Sequence, residues 1–216
     1  MNVLAVDGAL GGFSAAVAGD GGVAGCSFES GNVALERGLF AVSAVLRDAG
    51  QRPAEIDRLA VGVGPGTFTG LRIAIAYAKA LAAVWERPLV PIDSFDILEF
   101  GRTFDDVLTV VVGRPGVISA RYRRAGQTRR ASGRTADVLG ELVRPTEAPL
   151  DVVGAPEDVL HALAERAIIV RSIDPLVSPA AAAAALAAPS REPARSLHEV
   201  RADYGELPAV TIVKKR

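Results

Sequence analysis

The 216-residue chain reads as an α/β protein built from two lobes. Three observations lead there. Strand-like runs precede helix-like runs twice along the chain, the pattern of two α/β units. A buried-type strand at 59–63 passes through a glycine-rich turn at 64–70 into an Ala-rich helical stretch at 71–85. Hydrophobic residues make up 50% and charged residues 23%, enough apolar side chain for a core and too little net charge for disorder.

The elements follow in order. Residues 2–6 are a short apolar run closed by Asp7. Runs at 13–18 and 23–28, separated by Gly-Asp-Gly-Gly, predict an antiparallel meander with tight turns. Helical spacing at 36–49 places Leu39, Val42, Val45, Leu46 and Ala49 on one face, and Gly50 is a C-terminal stop. In the helix at 71–85, Leu71, Ala74, Ile75, Ala78, Leu81, Ala82 and Trp85 form the core stripe. A strand at 89–92 follows, and Ser94 is expected to cap a short helix reaching about residue 100. A boundary at 101–106 then divides a lobe at 1–104 from a smaller one at 105–216. The second lobe is expected to hold strands at 107–112, 117–124 and 128–131, and a helix at 135–142. A strand at 151–153, a helix at 156–166, a strand at 168–170 and an Ala-rich helix at 178–188 complete the alternation, with a late strand at 209–213.

Several classes are disfavoured. The formal net charge is -1, so no global field attracts nucleic acid or anionic membrane. Cys26 is the one cysteine, which excludes an internal disulfide and suits a reducing, cytoplasmic setting. No basic segment precedes an apolar run at the start, so a secretory signal is not expected. No run of 18 apolar residues appears, so no membrane span is expected. His161 and His198 are far apart in sequence, and with one cysteine they supply no zinc set. No Gly-Lys-Ser/Thr loop and no Gly-x-Ser-x-Gly elbow is present.

The most specific feature is Gly64-Pro65-Gly66-Thr67-Phe68-Thr69-Gly70-Leu71-Arg72. Glycines permit positive φ and close backbone approach, and Thr67 or Thr69 can cap the helix. Such a helix start can hold an anion, or it can be a sharp turn and cap with no ligand. The nonapeptide, with the Ile-Ala-Ile-Ala-Tyr-Ala-Lys-Ala-Leu-Ala that follows it, closely resembles the TsaB (YeaZ) family. So do Leu4-Ala5-Val6-Asp7 at the start, Leu46-Arg47-Asp48-Ala49-Gly50, and Ile56-Asp57-Arg58-Leu59-Ala60-Val61-Gly62. The resemblance is strong over residues 2–100 and one of layout beyond.

That resemblance implies an actin-like fold of the sugar-kinase/Hsp70 type. It implies a non-catalytic subunit of the machinery that makes tRNA N6-threonylcarbamoyladenosine. Such a subunit pairs with a TsaD homologue through its first two helices and works with the TsaE ATPase. It meets tRNA indirectly, through the complex, and has no membrane partner; alone, it can pair with itself as a homodimer. No cofactor is implied for the chain itself, with ATP or ADP and Mg2+ at the level of the complex. The interface and motif residues carried over are Leu39, Val42, Gly64, Pro65, Gly66, Thr67, Phe68, Thr69, Gly70, Leu71, Arg72, Ile73, Ala76, Tyr77 and Ala80.

The chain departs from the family pattern. Asp7-Gly8-Ala9-Leu10 replaces a hydroxyl-rich Asp-Thr-Ser/Ala-Thr stretch, leaving Asp7 and Ser14 as the candidates for a nucleotide or Mg2+. Asp7 can equally be a turn-forming Asp beside Gly8. Ala34 stands where the family has a His, and Tyr204-Gly205-Glu206 where it has Tyr-Leu-Arg. The other functional class open to the sequence is an actin-like ATPase or kinase acting alone, on fold analogy only.

Charge is uneven. Residues 107–136 hold seven Arg and no acid. Among them Arg121, Arg123 and Arg124 are candidates for tRNA phosphate contact. The alternative is that acids of the other lobe pair with them. Finally, the 71–85 helix is apolar or small nearly all round: Ile73, Ala76, Tyr77, Ala80, Ala83 and Val84 lie off its core stripe. Such a helix is normally buried on both sides.

Overall fold

The computed structural model describes residues 1–29, 37–145, 148–187 and 191–205. The expected strand at 209–213, Ala34 and Glu206 lie outside the described residues. The first lobe runs β1 (Val3–Asp7), β2 (Phe13–Gly19), β3 (Gly22–Glu29), α1 (Gly38–Asp48), β4 (Arg58–Gly64), α2 (Phe68–Trp85), β5 (Leu89–Asp93) and α3 (Ser94–Leu98). The second runs β6 (Asp106–Arg114), β7 (Val117–Arg124), β8 (Gln127–Arg134), α4 (Thr135–Leu142), β9 (Leu150–Val153), α5 (Glu157–Ala164) and β10 (Val170–Ile173). The last helix is α6 (Pro179–Leu186).

The two five-stranded sheets are ordered β3-β2-β1-β4-β5 and β10-β9-β6-β7-β8. Read from β8 to β10, the second repeats the first. Each has an antiparallel three-strand meander whose first strand is flanked by a parallel strand from a helical crossover. This is the actin-like, two-lobed fold the sequence predicts. Crossover helices force parallel strands and cover the sheet faces, so β1, Val-Leu-Ala-Val-Asp, is buried throughout and shows no alternation.

The first sheet is sandwiched. Leu4, Val6, Ala15, Val17, Leu59, Val61 and Leu89 face α1 and α2. Val3, Ala5, Ala60, Val90 and Ile92 face the alanines of α6. Thus α6, placed by sequence order in the second lobe, packs on β1 and β2 of the first. Alanine suits that place, because small side chains let a helix lie close on a sheet. Residues 194–203 return to the same sheet, where Ala194 N–H bonds the Leu89 carbonyl of β5 and Asp203 N–H the Val63 carbonyl at the end of β4.

Four local expectations change. Asp93, not Ser94, caps α3, its carboxylate accepting from the Phe95 N–H at 2.7 Å. Thr67 takes the N-cap position of α2 without a side-chain capping bond: its hydroxyl donates instead to the Gly8 carbonyl. Helix α2 starts at Phe68, because Thr69 and Gly70 already have helical geometry. The strand expected at 168–170 is β10, displaced toward the C-terminus because Ile168 is drawn into the second core and pairing with β9 starts at Val170.

Candidate functional site

The glycine loop and the two helices beside it are the features to test. The loop is full. A Cβ built on Gly66 would lie 2.5 Å from the Ala9 carbonyl oxygen, and one on Gly8 would lie 2.5 Å from that of Gly70. Gly64 alone of the three loop glycines has positive φ, +110°, and a Cβ there would meet the Asp203 carbonyl. The glycines therefore seat α2 against the β1–β2 turn. On the other side, a Cβ on Gly113 of the β6 end would lie 3.8 Å from the Gly66 carbonyl oxygen. The turns of both lobes converge on this loop.

Asp7 and Ser14, the candidates for a nucleotide or Mg2+, are both buried. Asp7 is 1% exposed. Its Oδ1 accepts from the Ala9 and Leu10 N–H groups, while Oδ2 is buried without a partner. Burial pushes its pKa up to about 6, against those two hydrogen bonds. The Ser14 hydroxyl accepts from the Ala180 N–H at 3.2 Å, so it is occupied in holding α6. No group of three His, Cys, Asp or Glu side chains is placed to hold a metal among the described residues.

The two helices are different. On α1, Ala41, Val42, Val45 and Leu46 are buried, while Leu39 is 51% and Phe40 is 70% exposed. Val42 is therefore a core residue and not a contact surface, and Leu39 lies outside the stripe assigned to it. Helix phase decides this: Gly38 turns inward against the Tyr77 ring, where a Cβ would lie 2.5 Å from Cε2, so positions 39 and 40 turn out. Phe40 is the residue the sequence reading missed: it lies with Leu39 on the side of α1 turned away from the core.

On α2, Gly70, Leu71, Ala74, Ile75, Ala78 and Ala82 are buried. Phe68, Thr69, Arg72, Ala76, Ala80 and Ala83 are exposed, Val84 is 78% exposed, and Ile73 and Tyr77 are half-buried. The helix has the length and apolarity of a membrane span, with a mean hydropathy of 1.3 over 18 residues. Its inner side packs on β4 and β1, and its outer side carries the remainder of that apolarity. Phe68 stacks on Tyr204 at 4.9 Å, with the Arg72 guanidinium 5.0 Å over its ring. Gly64, Pro65, Gly66, Gly70 and Leu71 are buried and serve the loop's shape, not a surface.

The arginine set is largely spent inside the protein. Arg121 is 6% exposed and bonds Asp96 at 2.8 Å and Glu99 at 2.8 Å. Arg123 pairs with Glu99, Arg130 with Asp93 at 3.0 Å, and Arg124 with Asp106 at 3.4 Å. Arg121 is therefore not available to tRNA: strand alternation aims it, with Arg123, at the acids of α3. The acids come from the stretch 93–106 just before this segment, and most of the pairs cross from the first lobe to the second, as the alternative reading of the sequence has it.

Residues 35–188 match the model of the family described as TsaD, tRNA N6-adenosine threonylcarbamoyltransferase. The chain belongs to the TsaD family. It is similar to the tRNA threonylcarbamoyladenosine biosynthesis protein TsaB of Bacillus subtilis, 33% identical over 76 residues, which cover 35% of this chain and 33% of that protein. It is similar to a tRNA N6-adenosine threonylcarbamoyltransferase of Ignicoccus hospitalis, 38% identical over 102 residues, covering 43% of this chain and 31% of the relative. The chain thus spans about a third of the length of these curated relatives. Its fold is that of YeaZ from Pseudomonas aeruginosa, with a TM-score of 0.68 and 22% identity, over 94% of this chain and 99% of that one. Within the TsaD family, then, the chain has the fold of YeaZ over nearly its whole length.

Proposed function

We propose that the chain is a non-catalytic partner subunit for tRNA N6-threonylcarbamoyladenosine formation in the cytoplasm, docking on a TsaD homologue through the outer faces of α1 and α2. The observation that carries this reading is the exposed apolar surface of those helices: Leu39 and Phe40 on α1, and Ala76, Ala80, Ala83 and Val84 on α2. Small residues on α2 allow a partner helix to come close, and the aromatic and aliphatic side chains supply anchors. The same helix carries the exposed Arg72 and the half-buried Lys79, charged groups of the kind that border an apolar centre. The sealed Asp7 and the filled glycine loop support the lack of chemistry in the chain alone and speak against a lone ATPase or kinase. ATP or ADP with Mg2+ and the TsaE ATPase enter only with the assembled complex, and tRNA meets this subunit through that complex.

The test is Ala76→Glu. The variant should keep the wild-type circular dichroism spectrum, because Ala76 is exposed, yet fail to co-elute with a TsaD homologue on size exclusion. Normal co-elution would place the interface elsewhere. A wild type that self-associates through these helices and ignores TsaD would favour the homodimer instead.

A further inference from the structure

The contact between the lobes is centred on α3, and its chemistry is unlike that of a hinge. Phe95 and Leu98 of α3 pack with Val107, Val111 and Val153 of the second lobe in one buried cluster. Beside it lies an ionic lattice. Glu99 Oε1 accepts from the Thr109 hydroxyl at 2.5 Å and from Arg121 Nε at 3.1 Å, and Oε2 pairs with Arg123. The other end of the Arg121 fork reaches Asp96 at 2.8 Å, and Asp96 also binds Arg191 at 3.1 Å. The Arg121 and Arg130 guanidinium groups each lie 5.1 Å from the Phe95 ring centroid.

We infer that this contact is a permanent lock, and that the chain works as one rigid body and does not close its lobes around a ligand. Glu99 and Arg121 are each 6% exposed. A guanidinium fork satisfies two carboxylates in one relative orientation only. A rotation of a few degrees breaks that fork while the apolar cluster still excludes water, so small hinge motions leave charges buried and unmatched. The segment carrying Arg191 fastens the same acid from a third direction: the Arg191 carbonyl accepts from Arg58 at 2.8 Å. Among the described residues, an interlobe cavity lined by Pro65, Phe95, Ala120, Arg130, Ser132 and Asp203 is about 270 Å³, below the range of pockets that enclose drug-sized ligands. Hinge closure over a ligand is one of the motions open to two-lobed proteins; this chain keeps the architecture and fixes the angle.

The experiment is a pair of spin labels on the full chain, at Asp48→Cys in α1 and Gln127→Cys in β8, in a Cys26→Ser background. Pulsed electron paramagnetic resonance should give one narrow distance that millimolar Mg-ATP leaves unchanged. Glu99→Gln should broaden it in protein that still shows a native circular dichroism spectrum. If Glu99→Gln does not fold, Asp96→Asn, which loosens the same Arg121 from a half-exposed position, should broaden it instead. Two distances in the wild type, a shift with Mg-ATP, or an unchanged distribution in the folded variant would each overturn the lock.

Discussion

Gly8 and Gly70 meet backbone to backbone, across the join between the β1–β2 turn and the first turn of α2. A side chain on either one collides with the main chain of the other: from Gly8, a Cβ would lie 2.5 Å from the Gly70 carbonyl oxygen. Gly70 is helical and has no positive φ, so the restriction is one of space and not of dihedral freedom. Gly70→Ala should therefore cost about 2–3 kcal/mol, at the upper end of overpacking penalties because backbone and not side chain must yield. Gly50→Ala is the contrast. Its φ is +63° with nothing within 4 Å of the added carbon, so only the left-handed strain of about 1–2 kcal/mol applies. Urea titrations that ranked Gly50→Ala above Gly70→Ala would contradict the close-approach account.

Asp7 gives the chain an unusual pH response. Its folded pKa of about 6 lies above the ordinary 3.8. The folded state therefore holds the proton more tightly, and the group's stabilisation is fully present below pH 3.8 and is lost as pH rises through 6. The difference amounts to about 3 kcal/mol above that window. Asp7→Asn imitates the protonated form. Its stability relative to wild type should grow between pH 4 and pH 7 and then level off. A flat difference across that range, followed by chemical denaturation, would show that Asp7 is not sealed.

Arg121 and Arg124 are neighbours in sequence and should behave oppositely. Removing Arg121 leaves Glu99 buried with only Arg123 to balance it, at a cost of about 3–5 kcal/mol. Arg124 is half exposed in its pair with Asp106, and surface pairs of that kind contribute about 0–1 kcal/mol. Thermal melts of Arg121→Ala and Arg124→Ala should separate clearly. Any loss of tRNA binding by the complex in Arg121→Ala should track unfolding, with no change of salt slope in the protein that remains folded. A reduced slope at constant stability would return Arg121 to the phosphate surface.

The outer helix face can be divided by side chain. Phe40→Ala and Val84→Ala, both at strongly exposed positions, should change stability by less than about 0.5 kcal/mol. Each should weaken binding to a TsaD homologue by about 1–2 kcal/mol, as anchors in an apolar centre do. Val42→Glu should instead unfold the chain, since Val42 is 4% exposed within the first core. Calorimetric titration of the two alanine variants decides the matter: unchanged affinity in both would remove α1 and the end of α2 from the interface.

The sequence by itself determined the elements and much of their order. Periodicity is local, and a meander, a glycine turn or an Ala-rich helix is written in ten to twenty consecutive residues. Helix α4 (Thr135–Leu142) and strand β7 (Val117–Arg124) fall where the pattern puts them, and the surplus apolarity of α2 announced its exposed outer face. Tertiary structure decided which side of each element meets what. Val42 went into the core and Phe40 to solvent because Gly38 settled on Tyr77, a contact between residues 39 positions apart. Arg121 became a buried strut because α3 brought Asp96 and Glu99 to it from 22–25 residues away. Ser14 was claimed by α6 from 166 positions on, and the glycine loop filled with main chain. Burial and charge pairing are properties of neighbours in space, and helix phase follows the tightest of those contacts.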